Sequence, residues 1–393
     1  MVSRRIRRTG LSPTFGVVAQ AEALRAGGAD VVDFSVGQPD FPTTDEAKRA
    51  GAAAIADNRT GYTLNAGIRE LRAAIAERIE QERGLRYEPG DILVSPGAKA
   101  SLYFGFLALV DPGDEVLVPS PYWTSYPEQI RLADGNPVCV PCAEEQGFKL
   151  ELSALDAART PRTRGLVLNY PSNPTGACYR REELEPIAAW CVQHDLWVVA
   201  DEIYAQLLYD GRRFTSIAAL APEMRARTLI VDGMSKTYSM TGWRIGYAAG
   251  PSEVIAGMAA IQSHSTSNAT SISQWASLAA LRSSGPELAR RRDEFERRRN
   301  AIVSGLSSLP GVRCALPEGA FYAFANVSEL LGRSPRVRTP ADLARHLLET
   351  VHVAVVSGEA FGSSAHLRFS YALSLERIRE GLDRVRRALE LLG

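Results

Sequence analysis

A chain of 393 residues, 45% of them apolar, exceeds what one hydrophobic core usually organises, so one large domain and one smaller domain are expected. Lys and Arg together number 45 and so do Asp and Glu, which removes any global attraction to nucleic acid or to an anionic membrane. There is no run of about 18 apolar residues and no apolar leader core, and five cysteines give no disulfide framework; the expectation is a cytoplasmic protein.

The basic run "RRIRR" at Arg4 to Arg8 reads as a solvated N-terminal arm. From there the chain alternates short β-rich runs with longer helical patterns. The strand candidates are "DILVSPG", "DEVLVPSPYW", "RGLVLNYPSNPTG", "LWVVADEIY", "TLIVDGMSK" and "RIGYAAG". Between them, "AKASLYFGFLALV" and "EELEPIAAWCVQHD" carry apolar residues at three- and four-residue spacing, as helices covering a sheet should. This predicts an α/β domain with a mostly parallel central sheet over residues 44–285. A charged helical run, "ARRRDEFERRRNAIVSGLSSLPG", follows and is long enough to link domains. Beyond it, "GAFYAFANV", "VHVAVVSG" and "AHLRFSYA" read as strands of a smaller α+β domain, formed by residues 1–43 and 286–393.

Cys139 and Cys142 form one C-x-x-C, but without a second pair or a flanking His they read as strand and turn. The five histidines are scattered, and no metal site follows.

Lysine is rare in this chain: only Lys48, Lys99, Lys149 and Lys236 occur, and arginine supplies the rest of the positive charge. A retained lysine answers a need that guanidinium cannot meet, such as an amine that loses its proton and attacks a carbonyl. Lys48 and Lys149, in polar contexts, read as surface charge. Lys236 follows the strand "TLIVDG". On the same rim, beyond the carboxyl ends of the strands, fall Gly97, Asn173 and Asp201. An amine, an aspartate at a strand end with Tyr204 three residues on, an Asn in a Pro-rich turn and a Gly-rich turn opening a helix together suit pyridoxal phosphate (PLP).

The motifs "VGQPDFPT", "YTLNAGIRELR", "VSPGAK", "PYWTSYPEQ", "YPSNPTGA", "DEIYAQLLYDG", "SKTYSMTGWRIGY", "PEGAFY" and "LRFSYA" run over nearly the whole chain. As a set they resemble the class I aminotransferases of fold type I, in the subgroup of aspartate and prephenate aminotransferases. The resemblance implies that Lys236 is the Schiff-base lysine and proton shuttle, and that Asp201 holds the ring-nitrogen proton. Tyr204 and Asn173 would bond the phenolic oxygen, and Trp123 would stack on the ring. Gly97, Ala98, Ser235 and Arg244 would hold the phosphate, joined by Tyr62 from the neighbouring subunit of a homodimer. Arg368 would take the substrate α-carboxylate, with Gly37 supplying an amide. Lys99 stands where the subgroup places a cation for a distal carboxylate, and Ser12 and Thr14 fall on an N-terminal segment that closes over it.

The implied reaction is transamination between an amino acid and a 2-oxo acid, with aspartate, prephenate or glutamate as amino-group partners and 2-oxoglutarate or oxaloacetate as acceptors. A PLP lyase, cyclase or oxidase of specialised metabolism would share nearly every cofactor contact. A PLP-fold binding protein without turnover would have no need of both Lys236 and Arg368. Three positions depart from the subgroup's pattern: Gln38 replaces the usual Glu, Ser357 replaces the usual Pro, and His264 is unusual in its place.

Overall fold

The computed structural model describes residues 2, 4–10, 13–283 and 285–392. A short strand, β1 (Val32–Asp33), precedes the central sheet. That sheet is built from β2 (Ile92–Ser95), β3 (Glu115–Ser120), β4 (Asn136–Pro141), β5 (Thr163–Asn169), β6 (Trp197–Asp201), β7 (Thr228–Gly233) and β8 (Gly246–Ala249), in the order β2-β8-β7-β6-β5-β3-β4. Every pairing is parallel except those of β8, which runs antiparallel to both its neighbours. All six strands expected from the sequence in this region are present. The strands β2, β7 and β8 are buried along their whole length, which is why they read as near-continuous apolar runs rather than alternating ones.

Register places the functional rim. Asn169 pairs with Asp201, and Asp201 with Val231, so the carboxyl ends of β5, β6 and β7 finish side by side. Ligands in open α/β sheets sit beyond such ends.

The remaining strands are β9 (Arg313–Cys314), β10 (Tyr322–Asn326), β11 (Val353–Ala354), β12 (Val356–Ser357) and β13 (His366–Ser370). Four of them make an antiparallel sheet in the order β12-β13-β10-β9, while β11 pairs in parallel with β1. The run "VHVAVVSG", expected as one strand, is thus divided at Val355, because its first half pairs with β1 and its second half with β13.

The linking helix spans Gly285–Ser307, and its arginines are not simply surface charge. Arg298 Nη1 donates to Asp40 Oδ1 at 2.6 Å, and Arg291 Nη2 to the Pro42 carbonyl at 2.8 Å. Arg299 forks onto both oxygens of Asp210 at 2.7 and 2.8 Å. The helix therefore anchors both the 36–43 segment and the loop after "DEIY".

Candidate active site

The largest group of sequence-predicted residues converges on one cavity of about 360 Å³, between the carboxyl ends of the central strands and β13. Lys236, Asp201, Tyr204, Asn173, Ser235, Arg244, Ala98, Lys99, Trp123, Gly37 and Arg368 all line it.

Lys236 follows β7 by three residues, and its Nζ donates to the Gly37 carbonyl at 2.6 Å. Burial, and then the positive charges of Arg368 and Arg244, pull its ammonium down to about 8. An amine in that range is available as a base near neutral pH. This contact uses the Gly37 carbonyl and is separate from the amide expected to face the substrate α-carboxylate. A Cβ at Gly37 would lie 2.6 Å from Tyr322 Oη, so this approach needs glycine.

Asp201 ends β6 and is 4% exposed. Burial pushes its carboxyl up to about 7, against the hydrogen bond that Tyr126 Oη donates to Oδ2 at 2.6 Å. Ile203 N donates to Oδ1 at 3.3 Å. Among the described residues no cationic side chain forms a salt bridge with this carboxylate, so its environment suits a cationic, proton-bearing ligand atom. Asn169 Nδ2 donates to the Asp201 carbonyl at 3.0 Å, and Asn169 Oδ1 accepts from Asn173 N at 2.9 Å, so the ends of β5 and β6 are stitched together.

Arg368, in the middle of β13, is buried between the rings of Tyr322 and Phe361 at 4.6 and 4.9 Å. Its Nη1 donates to Asn173 Oδ1 at 3.0 Å and its Nη2 to the Ser35 carbonyl at 2.7 Å. Its buried Nε has no hydrogen-bond partner among the described residues. A buried guanidinium N–H left open is a demand for an acceptor. Tyr204 Oη lies 2.9 Å from Tyr322 Oη, which couples β10 to the loop after β6.

At the other end of the cavity, Gly97 caps the helix Ala98–Leu109 with φ +91°, and the Arg244 guanidinium packs against it. Gly97 donates its amide to the Ser95 carbonyl at 2.7 Å, so of the two amides expected to hold an anion, Ala98 is the one at the cavity wall. Ser235 and Arg244 stand on the same wall. A Cβ on Gly97 would fall 2.5 Å from Arg244 Nη2 at a left-handed backbone angle. Gly97→Ala is therefore expected to cost about 1–3 kcal/mol in denaturant unfolding, and an unchanged midpoint would show that the turn relaxes.

Lys99 Nζ lies 4.8 Å above the Trp123 ring, and burial followed by the Arg244 charge lowers its ammonium. Trp123 in turn packs edge-on against Tyr126 with ring centroids 5.3 Å apart.

Some expected residues lie elsewhere. Tyr62 is 93% exposed and does not line the cavity of its own chain. Ser12 lies outside the described residues, as does the side chain of Thr14; Val18, further along the helix Pro13–Ala26, does reach the cavity. Gln38 lines the cavity, whereas His264 caps the end of the helix Ser252–Ser263 and does not. Ser357 Oγ accepts from Glu359 N at 3.3 Å in a turn. Cys139 is exposed on β4 and Cys142 is buried just after it, both as free thiols.

Tyr126, Tyr322, Asn169 and Ser35 were not singled out from the sequence. A signal existed for the first two: Tyr126 falls three residues after Trp123, near one helical turn, and Tyr322 closes the motif "PEGAFY".

Comparison with known proteins agrees with this geometry. The sequence model described as "Aminotransferase class I and II" matches residues 29–385. An aspartate aminotransferase from Rhizobium meliloti (strain 1021) is 44% identical over 99% of this chain and 96% of its own length. An aspartate/prephenate aminotransferase from Cereibacter sphaeroides is 45% identical over 98% of this chain and 97% of its own. The structure of an aspartate aminotransferase from Thermus thermophilus with maleate superposes with a TM-score of 0.94 at 42% identity, covering 99% of each chain. The fold is thus the one these enzymes share, a mostly parallel central sheet with a smaller α+β part.

Proposed function

We propose that this chain, which belongs to the aminotransferase class I and II family, moves an amino group between a dicarboxylic amino acid and a 2-oxo acid with PLP bound in the cavity. Aspartate is the first donor to test, then glutamate, with prephenate as an alternative amino acceptor beside 2-oxoglutarate and oxaloacetate. The observation that carries the reading is the meeting of Lys236, Asp201 and Arg368 in one cavity, each on a different strand end or sheet.

The residues fit the cofactor. Asp201 suits a protonated ring nitrogen, Trp123 a ring face, and Asn173 and Tyr204 a phenolic oxygen. Ala98 N, Ser235 and Arg244 suit a phosphate. When bound, PLP supplies an electron sink for the bond broken at the substrate α-carbon. The chain supplies the rest. Lys236 Nζ, held near neutrality by burial and by Arg368 and Arg244, takes and returns the α-proton. Arg368, gripped by Asn173 and Ser35, presents its open Nε edge to a carboxylate, and Tyr322 and Phe361 exclude water around it.

Residues 44–285 are proposed as the cofactor domain, with 1–43 and 286–393 as the smaller one; the separate sheets support that division. Exposed Ile55, Tyr62 and Leu64 support a dimer in which Tyr62 reaches the partner's phosphate site. No helix of the described residues is long and apolar enough to cross a membrane, and five free thiols suit the cytoplasm.

Lys99 tests the substrate class. Its ammonium stands on the cavity wall, and no carboxylate pairs with it among the described residues. Lys99→Ala should cost about 2–5 kcal/mol in kcat/KM for aspartate, and little for alanine or phenylalanine, which have no second carboxylate to strand. Equal losses for both donor types would assign Lys99 to the cofactor. A wild type inert toward every dicarboxylic donor would favour a lyase, cyclase or oxidase instead.

A further inference from the structure

Behind the cavity, the ends of β6 and β7 carry a second, buried group of charges. Arg83 closes the helix Arg69–Arg83, and its Nε donates to Glu202 Oε2 while its Nη2 donates to Asp232 Oδ2, each at 2.6 Å. Its Nη1 reaches Glu82 at 3.1 Å. Ser216 Oγ donates to the other Glu202 oxygen at 2.5 Å, while Gly233 N and Tyr247 Oη donate to Asp232 at 2.6 and 3.1 Å. The side chains of Arg83 and Glu202 are 1% and 0% exposed.

None of these three residues lines the cavity, yet two of them lie close in sequence to residues that do. Glu202 follows Asp201, and Asp232 precedes Lys236 by four residues. One guanidinium therefore bridges the two strand ends that deliver the carboxylate and the amine. Buried ion pairs of this kind stabilise a fold little better than apolar packing would, but removing one partner strands the others. What such a bridge does supply is a fixed geometry and a fixed charge.

The charge matters for Asp201. From helix Ser125–Leu132 it faces Tyr126, from its own loop Glu202 and Tyr204, and from the β7 end Asp232 and Lys236. Glu202 and Asp232 both oppose its ionisation, and Arg83 is the cation that touches both.

We propose that Arg83 is a positioning residue of the active site: by clamping Glu202 and Asp232 it fixes the ends of β6 and β7 and offsets the carboxylate charge that faces Asp201. This rests on the PLP reading given above.

The test is PLP binding to the apoprotein, followed by absorbance. Arg83→Met should raise the Kd by about tenfold or more at neutral pH, because two unmatched carboxylates then oppose Asp201. Arg83→Met/Glu202→Gln should recover most of that loss, because one of the stranded charges is gone. A clamp that acted by geometry alone would predict the double variant to be no better than the single one, and that result, or a folded Arg83→Met with wild-type affinity, overturns the proposal. Glu202→Gln alone keeps Arg83 and decides the matter should Arg83→Met fail to fold. It should move the acid limb of PLP binding to lower pH by about one unit, since Asp201 loses an opposing charge. An unmoved limb overturns the proposal. A wild type that binds no PLP would instead remove the functional reading itself.

Discussion

Lys236→Ala should lower kcat by at least about 10⁴-fold while leaving KM for the amino donor within a few-fold. The amine is lost, but Arg368 keeps its contacts with Asn173 and Ser35 and its open Nε, so the carboxylate grip survives. Steady-state kinetics on the purified variant give both numbers, and turnover within tenfold of wild type would remove Lys236 from the chemistry. The wild-type apoprotein adds a pH signature. An amine brought down to about 8 reacts with an acylating reagent at a rate that climbs through that pH, because the neutral form appears there. An unperturbed lysine would not become reactive until about pH 10.4.

The second large effect is expected at Asp201. Asp201→Asn retains an acceptor for the Tyr126 hydroxyl and so preserves local packing, whereas Asp201→Ala leaves that buried donor unpaired. Neither can hold a proton on the ring nitrogen by charge. Both should therefore slow α-proton abstraction by about 10²–10⁴-fold, with the Ala variant also less stable by about 1–3 kcal/mol. Single-turnover rates with aspartate separate the chemical step from binding. An Asn variant with near-normal rates would place the proton's partner elsewhere.

Much of the fold was legible because its strands are buried on both faces. "ILV", "LIV" and "YAA" read as strand cores since nothing polar interrupts them, and the intervening helices carry a regular apolar stripe. The division of "VHVAVVSG" between two sheets was not legible, because it depends on pairing with β1 and β13 from distant parts of the chain. The linking helix shows the same limit. Its arginines look like solvated charge until Asp40 and Asp210 are found opposite them.

The site divides in the same way. Lys236, Asp201 and Arg368 stand in motifs whose chemistry can be read from residue type and order. Tyr126, Tyr322 and Ser35 act through contacts across 75, 118 and 333 residues of sequence, respectively, which no local pattern records. Arg83 is of that second kind. In sequence it is one more arginine among many, and only the folded chain sets it between Glu202 and Asp232.

The most direct test of the central claim is to incubate the protein with PLP, reduce it with borohydride, and map the modified peptide by mass spectrometry. With only four lysines in the chain the answer is unambiguous. Covalent label at Lys236, with a yellow chromophore before reduction, is the predicted result. Label confined to Lys48, Lys99 or Lys149, or no visible absorbance after incubation with PLP, would contradict it.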